Sequence, residues 1–167
     1  VQKCRAAGWQ AAGTQALRTG KGGTTGGTCI AARSNVSIEV VECGECIQEW
    51  TIVAGRAPIA LVQSVLRTGF LFISVYLGTG QTLESLPNWY VLAAVARVVR
   101  ALGNPCVIAG DFQSTPEQLL DTAFLSIVDG FIARPDLGTC RGAFGQPPEI
   151  IFVVVSYSLE HVSGSCW

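Results

Sequence analysis

The chain has 167 residues, of which 49% are hydrophobic and 14% charged, and its net charge is −1. That length suits one domain with a packed core, and the composition excludes intrinsic disorder. The near-neutral balance excludes wholesale electrostatic attachment to nucleic acid, and the apolar runs fall far short of the roughly 20 residues of a membrane span.

The N-terminal part is basic. Lys3, Arg5, Arg18, Lys21 and Arg33 fall in the first 35 residues, which hold no acid, whereas the rest carries six basic and twelve acidic residues. A basic end can approach phosphates, but charge alone favours the plainer reading of a solvated surface. Residues 8–12 (GWQAA) and 27–33 (GTCIAAR) predict short strands on either side of "RTGKGGTTGG". Eight of residues 18–27 are Gly or Thr, so this segment turns freely and orders with difficulty. Residues 36–53 alternate imperfectly and predict a strand, a loop and a second strand.

Ile59–Leu66 and Phe70–Leu77 are β-rich runs joined by Arg67-Thr68-Gly69, a three-residue hairpin connection. Residues 85–102 change to helical period. Val91, Val95, Val98 and Leu102 form one stripe, Arg97 and Arg100 lie on another face, and Gly103 is a natural stop. Pro105–Ala109 predicts a short buried strand. Ser114-Thr115-Pro116-Glu117 then starts a helix, with Thr115 as N-cap, proline at the first position and an acid in the first turn. Leu119, Leu120 and Ala123 would form its buried side. Residues 127–141 are mostly loop with room for one strand, and Ile150–Val155 predicts a central strand. A hairpin, helix, strand, helix and strand in this order make a layered α/β domain.

Several residue groups invite a chemical reading. The glycine-rich segment departs from a Walker A loop: Gln15 stands at the first glycine position and Gly22 follows Lys21. No G-x-S-x-G is present, and His161, the sole histidine, is six residues from the end. The seven cysteines are odd in number and irregularly spaced. Cys29 and Cys106, in apolar surroundings, predict buried free thiols in a reducing compartment. Cys43-Gly-Glu-Cys46 lacks two further ligands for zinc, so no metal site is assigned from these residues. The chain has no methionine and shows no signal peptide, and it reads as a piece of something longer from an intracellular setting, the nucleus included. Asp111 keeps two readings. It is an acid at the C-terminal end of a strand, where open α/β sheets place their sites, and it is equally a residue that caps a turn.

"VIAGDFQSTPEQL" (107–119) resembles the G-D-F-N motif of the endonuclease/exonuclease/phosphatase superfamily. In the same order along the chain, "GGTTGGTCIAAR" resembles its G-G-V-A-I strand, "FLFISVYLGTG" (70–80) its apolar strand ending in tyrosine, and "EIIFVVVS" (149–156) its I-D-Y-F-V-V-S strand. The version it most resembles is that of endonuclease-like reading frames related to non-LTR retrotransposons. The resemblance implies a four-layer α/β sandwich, here a partial one of two mixed β-sheets flanked by helices. It further implies one incomplete domain over 1–167 that lacks the family's first and last strands.

The implied activity is metal-dependent phosphodiester hydrolysis, with Mg2+ as the expected cofactor and nucleic acid or another phosphoester as substrate. Asp111 would activate the water, Gln113 stands where the family has Asn, and Tyr76 would contact the phosphate. Arg18 and Lys21 are the candidate phosphate-binding cations. Two departures point to weak or absent turnover. The family's acid in I-D-Y-F falls on Ile151. The extra methylene of Gln113 displaces its amide by about 1 Å, a shift worth on the order of 100-fold in rate. The alternative is a non-catalytic scaffold or nucleic-acid interaction module.

Overall fold

Every second residue of the Phe70–Tyr76 strand is turned into the core. Leu71, Ile73 and Val75 are fully buried, whereas Phe70, Phe72, Ser74 and Tyr76 lie half-buried on the opposite face. That alternation gives one sheet two different faces, and the rest of the chain is arranged on them. The structure is a computed structural model. It describes residues 2–18, 20, 22–41, 55–63, 66–133 and 150–160, with 17–18 and 24–25 described by their backbone alone. Lys21, Cys43, Cys46, His161 and the strand expected near residue 50 lie outside the described residues.

In chain order the described elements are α1 (Gln2–Ala6), β1 (Trp9–Gly13), β2 (Leu17–Arg18), β3 (Thr24–Thr25), β4 (Cys29–Arg33), β5 (Ile38–Val40), β6 (Ile59–Val62), β7 (Phe70–Tyr76), α2 (Leu86–Leu102), β8 (Cys106–Asp111), α3 (Pro116–Leu120), α4 (Phe124–Val128), β9 (Gly130–Ala133) and β10 (Ile151–Ser156). A six-stranded sheet runs in the order β5-β6-β7-β8-β10-β9, and β1 pairs with β4 in a second sheet. β7 and β8 are parallel and the other paired strands antiparallel. The large sheet is therefore mixed, as expected. The small one is antiparallel among the described residues. β2 and β3 form a separate antiparallel ribbon.

One core joins α2 and α4 to the inner face of the large sheet: Ile59, Leu71, Ile73, Val75, Ile108, Phe152 and Val154 pack with Val91, Leu92, Val95, Val99 and Phe124. Fully burying side chains of this size stabilises by about 1.5–3 kcal/mol each. β4 lies against β7 and β1 against β5 on the other side. The arrangement is the expected α/β sandwich.

The α2 stripe differs in detail from the sequence reading. Asn88, Val91, Leu92, Val95 and Val99 are its buried line, Val98 is half-buried, and Leu102 is 47% exposed. The helix ends at Gly103, whose φ of 66° turns the chain away from the core, so Leu102 sits on a terminus with nothing to cover it. α3 starts as predicted. Thr115 Oγ1 accepts from the Gln118 amide N–H at 3.4 Å, and Gln118 Oε1 accepts from the Thr115 N–H at 2.9 Å, closing a capping box. Only Pro116 and Leu119 of this short helix are buried. Leu120, about 100° further round the axis, is 54% exposed, and Ala123 is exposed too. Within the expected loop of 127–141, residues 130–133 form β9, and the unanticipated α4 lies just ahead of it.

The two cysteines expected in the core part company. Cys29 is exposed, because β4 turns Ile30 inward and its neighbour outward. Cys106 is fully buried, with its backbone N–H donating to Ser156 Oγ at 2.8 Å and its sulfur 3.1 Å from the same oxygen. Burial pushes the Cys106 thiol above its ordinary value of 9.0, against a smaller lowering by the Ser156 hydroxyl, and the charge of Asp129 raises it further. The neutral thiol is a poor nucleophile. At about pH 8, iodoacetamide should modify Cys29 and spare Cys106 until the chain is unfolded, as read by peptide mapping.

Candidate functional site

The segment Gly110–Pro116 makes sense residue by residue. Gly110 pairs with Val75 on β7 at a φ of +155°, and a Cβ built on it would lie 1.9 Å from the Val75 carbonyl oxygen. Only glycine lets β7 and β8 approach this closely. Asp111 ends β8, half-buried, directly beside Tyr76 at the end of β7, and the Leu77 N–H donates to the Asp111 carbonyl at 2.9 Å. Phe112 turns back into the core and stacks on Phe152, with ring centroids 4.3 Å apart and planes 8° from parallel. The next residue, Gln113, has a φ of 52°. A left-handed conformation costs a residue with a side chain about 1–2 kcal/mol.

That conformation folds Gln113 back on Asp111. Its backbone N–H donates to Asp111 Oδ1 at 3.0 Å, and its side-chain amide donates to Oδ2 at 2.6 Å. Both oxygens of the carboxylate therefore accept from one residue. Across the antiparallel ladder, the neighbour of Asp111 on β10 is Ile151, apolar and 41% exposed.

A cation reaches this corner from a residue that the motifs do not mark. Arg56, just ahead of β6, pairs with Tyr76 by accepting its backbone N–H at 2.8 Å. The Arg56 guanidinium donates to the Tyr76 carbonyl at 3.4 Å and lies 5.8 Å from the Tyr76 ring centroid. The glycine-rich segment meets the same strand end, because the Gly27 N–H donates to the Gly55 carbonyl at 3.0 Å. Tyr76, Asp111 and Gln113 are thus brought together with Arg56. The side chains of Arg18 and Lys21 lie outside the described residues.

Asn88 is the other residue that sequence reasoning missed. It is buried in the first turn of α2 and holds the loop that leaves Tyr76. Its Oδ1 accepts from the Gly78 N–H at 2.7 Å, and its Nδ2 donates to the carbonyls of Thr82 at 3.1 Å and Gln81 at 3.4 Å. The available signal was a polar residue on the line of Val91, Leu92 and Val95. Arg56 offered none beyond a lone charge ahead of an apolar run.

The resemblance implies a magnesium ion, and the donor set does not fit one. Asp111 presents a carboxylate whose two oxygens are both engaged, between Ile151 and Tyr76. Among the described residues, no group of three or more His, Cys, Asp or Glu side chains is placed to hold a metal ion. Also among them, no helix is long and apolar enough to cross a membrane.

No protein-family model matches the sequence, and no curated protein matches it. Solved structures do. The chain is similar to a 3'-5' exonuclease from Neisseria meningitidis at 16% identity and a TM-score of 0.55, covering 95% of this chain and 71% of that one. It is similar to the catalytic domain of human Nocturnin, solved with a bound sulfate anion, at 14% identity and a TM-score of 0.62, covering 93% and 63%. It is also similar to an endonuclease/exonuclease/phosphatase family protein from Bacteroides thetaiotaomicron at 16% identity and a TM-score of 0.63, covering 91% and 62%. The chain has the fold of the endonuclease/exonuclease/phosphatase superfamily and spans under two thirds of the length of the latter two structures.

Two substitutions check the scaffold of the corner. Gly110→Ala should destabilise the chain by about 3 kcal/mol, because the added methyl meets backbone rather than a side chain that can move. Asn88→Ala should cost about 2 kcal/mol by leaving the Gly78 N–H without its acceptor. Urea denaturation followed by circular dichroism reads both.

Proposed function

We propose that this chain is a phosphodiester-recognising domain with slow hydrolytic turnover, and that the corner formed by Arg56, Tyr76 and Asp111 receives the phosphate. The observation that carries the reading is the parallel register of Tyr76 and Asp111, with the Arg56 guanidinium over the Tyr76 ring. It stands at the C-terminal ends of two parallel strands, where sheets of this class receive ligands. A guanidinium offers forked donors to phosphate oxygens, and a phenol adds another.

In the hydrolytic step, Asp111 takes a proton from a water whose oxygen attacks phosphorus, the ester P–O bond opposite breaks, and the departing ester oxygen takes a proton from solvent water. Leaving Gln113 is a condition of that role, so turnover is slow. The exonuclease of the same fold makes nucleic acid the substrate class of choice. The resemblance to retrotransposon-type reading frames makes DNA the first nucleic acid to try, and Gly27, just beyond the ribbon that includes Arg18, donates its N–H to the Gly55 carbonyl beside the corner. Magnesium remains an expectation of the resemblance, and no step here depends on it.

A second reading, a nucleic-acid interaction module without turnover, is favoured by Ile151 beside Asp111. One set of assays separates the two. Duplex and abasic DNA should bind with salt-dependent affinity, and Arg56→Ala should weaken binding about tenfold, equivalent to about 1.4 kcal/mol, while Arg56→Lys recovers part of it. Slow nicking of supercoiled DNA that disappears in Asp111→Ala supports the hydrolase. Binding without any nicking supports the module, and affinity indifferent to Arg56 overturns both.

A further inference from the structure

We infer that the Gln113 amide stands in for a divalent cation on the Asp111 carboxylate, so that this carboxylate takes a cation more readily when the amide is removed. An ionised carboxylate only accepts hydrogen bonds, and the NH2 end of the Gln113 amide faces it. The contact is short, as charge-assisted bonds are, and the same residue's backbone N–H takes the other oxygen. One residue thus holds both oxygens, two positions along the chain.

A hard cation such as Mg2+ or Mn2+ needs those oxygens, and usually takes one or two carboxylates with several waters. Here it must displace a donor tethered to the chain itself, which competes at the high effective concentration of an intramolecular group. No compensation comes from the flanking strands, where Asp111 meets Ile151 and Tyr76. The left-handed backbone of Gln113 points the same way. A residue with a side chain holds a conformation suited to glycine, and the amide bond to Asp111 accompanies it.

The inference rests on the reading of Asp111 as the carboxylate of the proposed site. Cation binding is measured without substrate, so its failure and the failure of phosphodiester recognition are separate results. The probe is Mn2+, titrated into the full chain and followed by electron paramagnetic resonance, with chelator-treated protein as the start.

Gln113→Gly removes the amide and suits the positive φ, so folding is not put at risk. It should bind Mn2+ at least about tenfold more tightly than the wild type. Adding Asp111→Ala to it should abolish that gain. Gln113→Glu keeps the side-chain length, replaces the donor by a second carboxylate, and should bind at least as tightly as Gln113→Gly. Wild-type protein that already binds Mn2+ as tightly as Gln113→Gly would overturn the inference. So would a gain that survives Asp111→Ala, or no gain in either variant.

Discussion

The close approach of β7 and β8 at Val75 and Gly110 is the constraint on which the candidate site depends. With no Cβ at 110, the two parallel strands stay in register to their ends, and Tyr76 and Asp111 emerge side by side. The bond from the Leu77 N–H to the Asp111 carbonyl closes the ladder just beyond them. The chain then has to leave the sheet at once. Phe112 does this by inserting into the core against Phe152, and that anchor leaves Gln113 to take the turn with a positive φ.

Support for the corner comes from far along the chain. Arg56 arrives by pairing with Tyr76 at the end of the β6–β7 hairpin, and Asn88 arrives on the helix that crosses from β7 to β8. Both bind backbone of the segment around Tyr76, Arg56 at Tyr76 itself and Asn88 at Gly78. Each therefore couples the position of the tyrosine to the packing of a whole element, hairpin or helix, and makes the site a property of the sandwich rather than of one loop.

The chemistry of the corner combines a general feature with a particular one. A cation, a phenol and a carboxylate meet at the end of a parallel pair, and the fold is one that an exonuclease and a Nocturnin catalytic domain share. The particular feature is a carboxylate already satisfied by its own chain. A half-buried acid without partners would be costly, and Gln113 meets that cost locally, in the position where a metal centre would meet it with a cation.

Local signals carried much of this in the amino-acid sequence. The N-cap at Thr115, the stop at Gly103, the antiparallel pairing of β6 with β7 and the turn after Asp111 each depend on residues a few positions apart, although the β6–β7 connection spans 63–69 rather than the three residues expected. Physical chemistry at that range is readable in order along the chain. The sequence also marked Asp111, Gln113 and Tyr76 as a set, through motifs in a fixed order. What it left open were burial and partners across the sheet. Cys29 and Leu102 look like core residues by neighbourhood and lie outside, since a face is decided by the register and by what covers it. Arg56 reaches Tyr76 across 20 positions and Cys106 meets Ser156 across 50. The sequence by itself determined the N-cap at Thr115, the helix stop at Gly103 and the place of Asp111 at the end of a strand. Only the tertiary structure decided which cation stands over Tyr76, that Ile151 neighbours Asp111, and that Gln113 occupies its carboxylate. Those outcomes are set by strand register and by close packing, which no local run of residues contains.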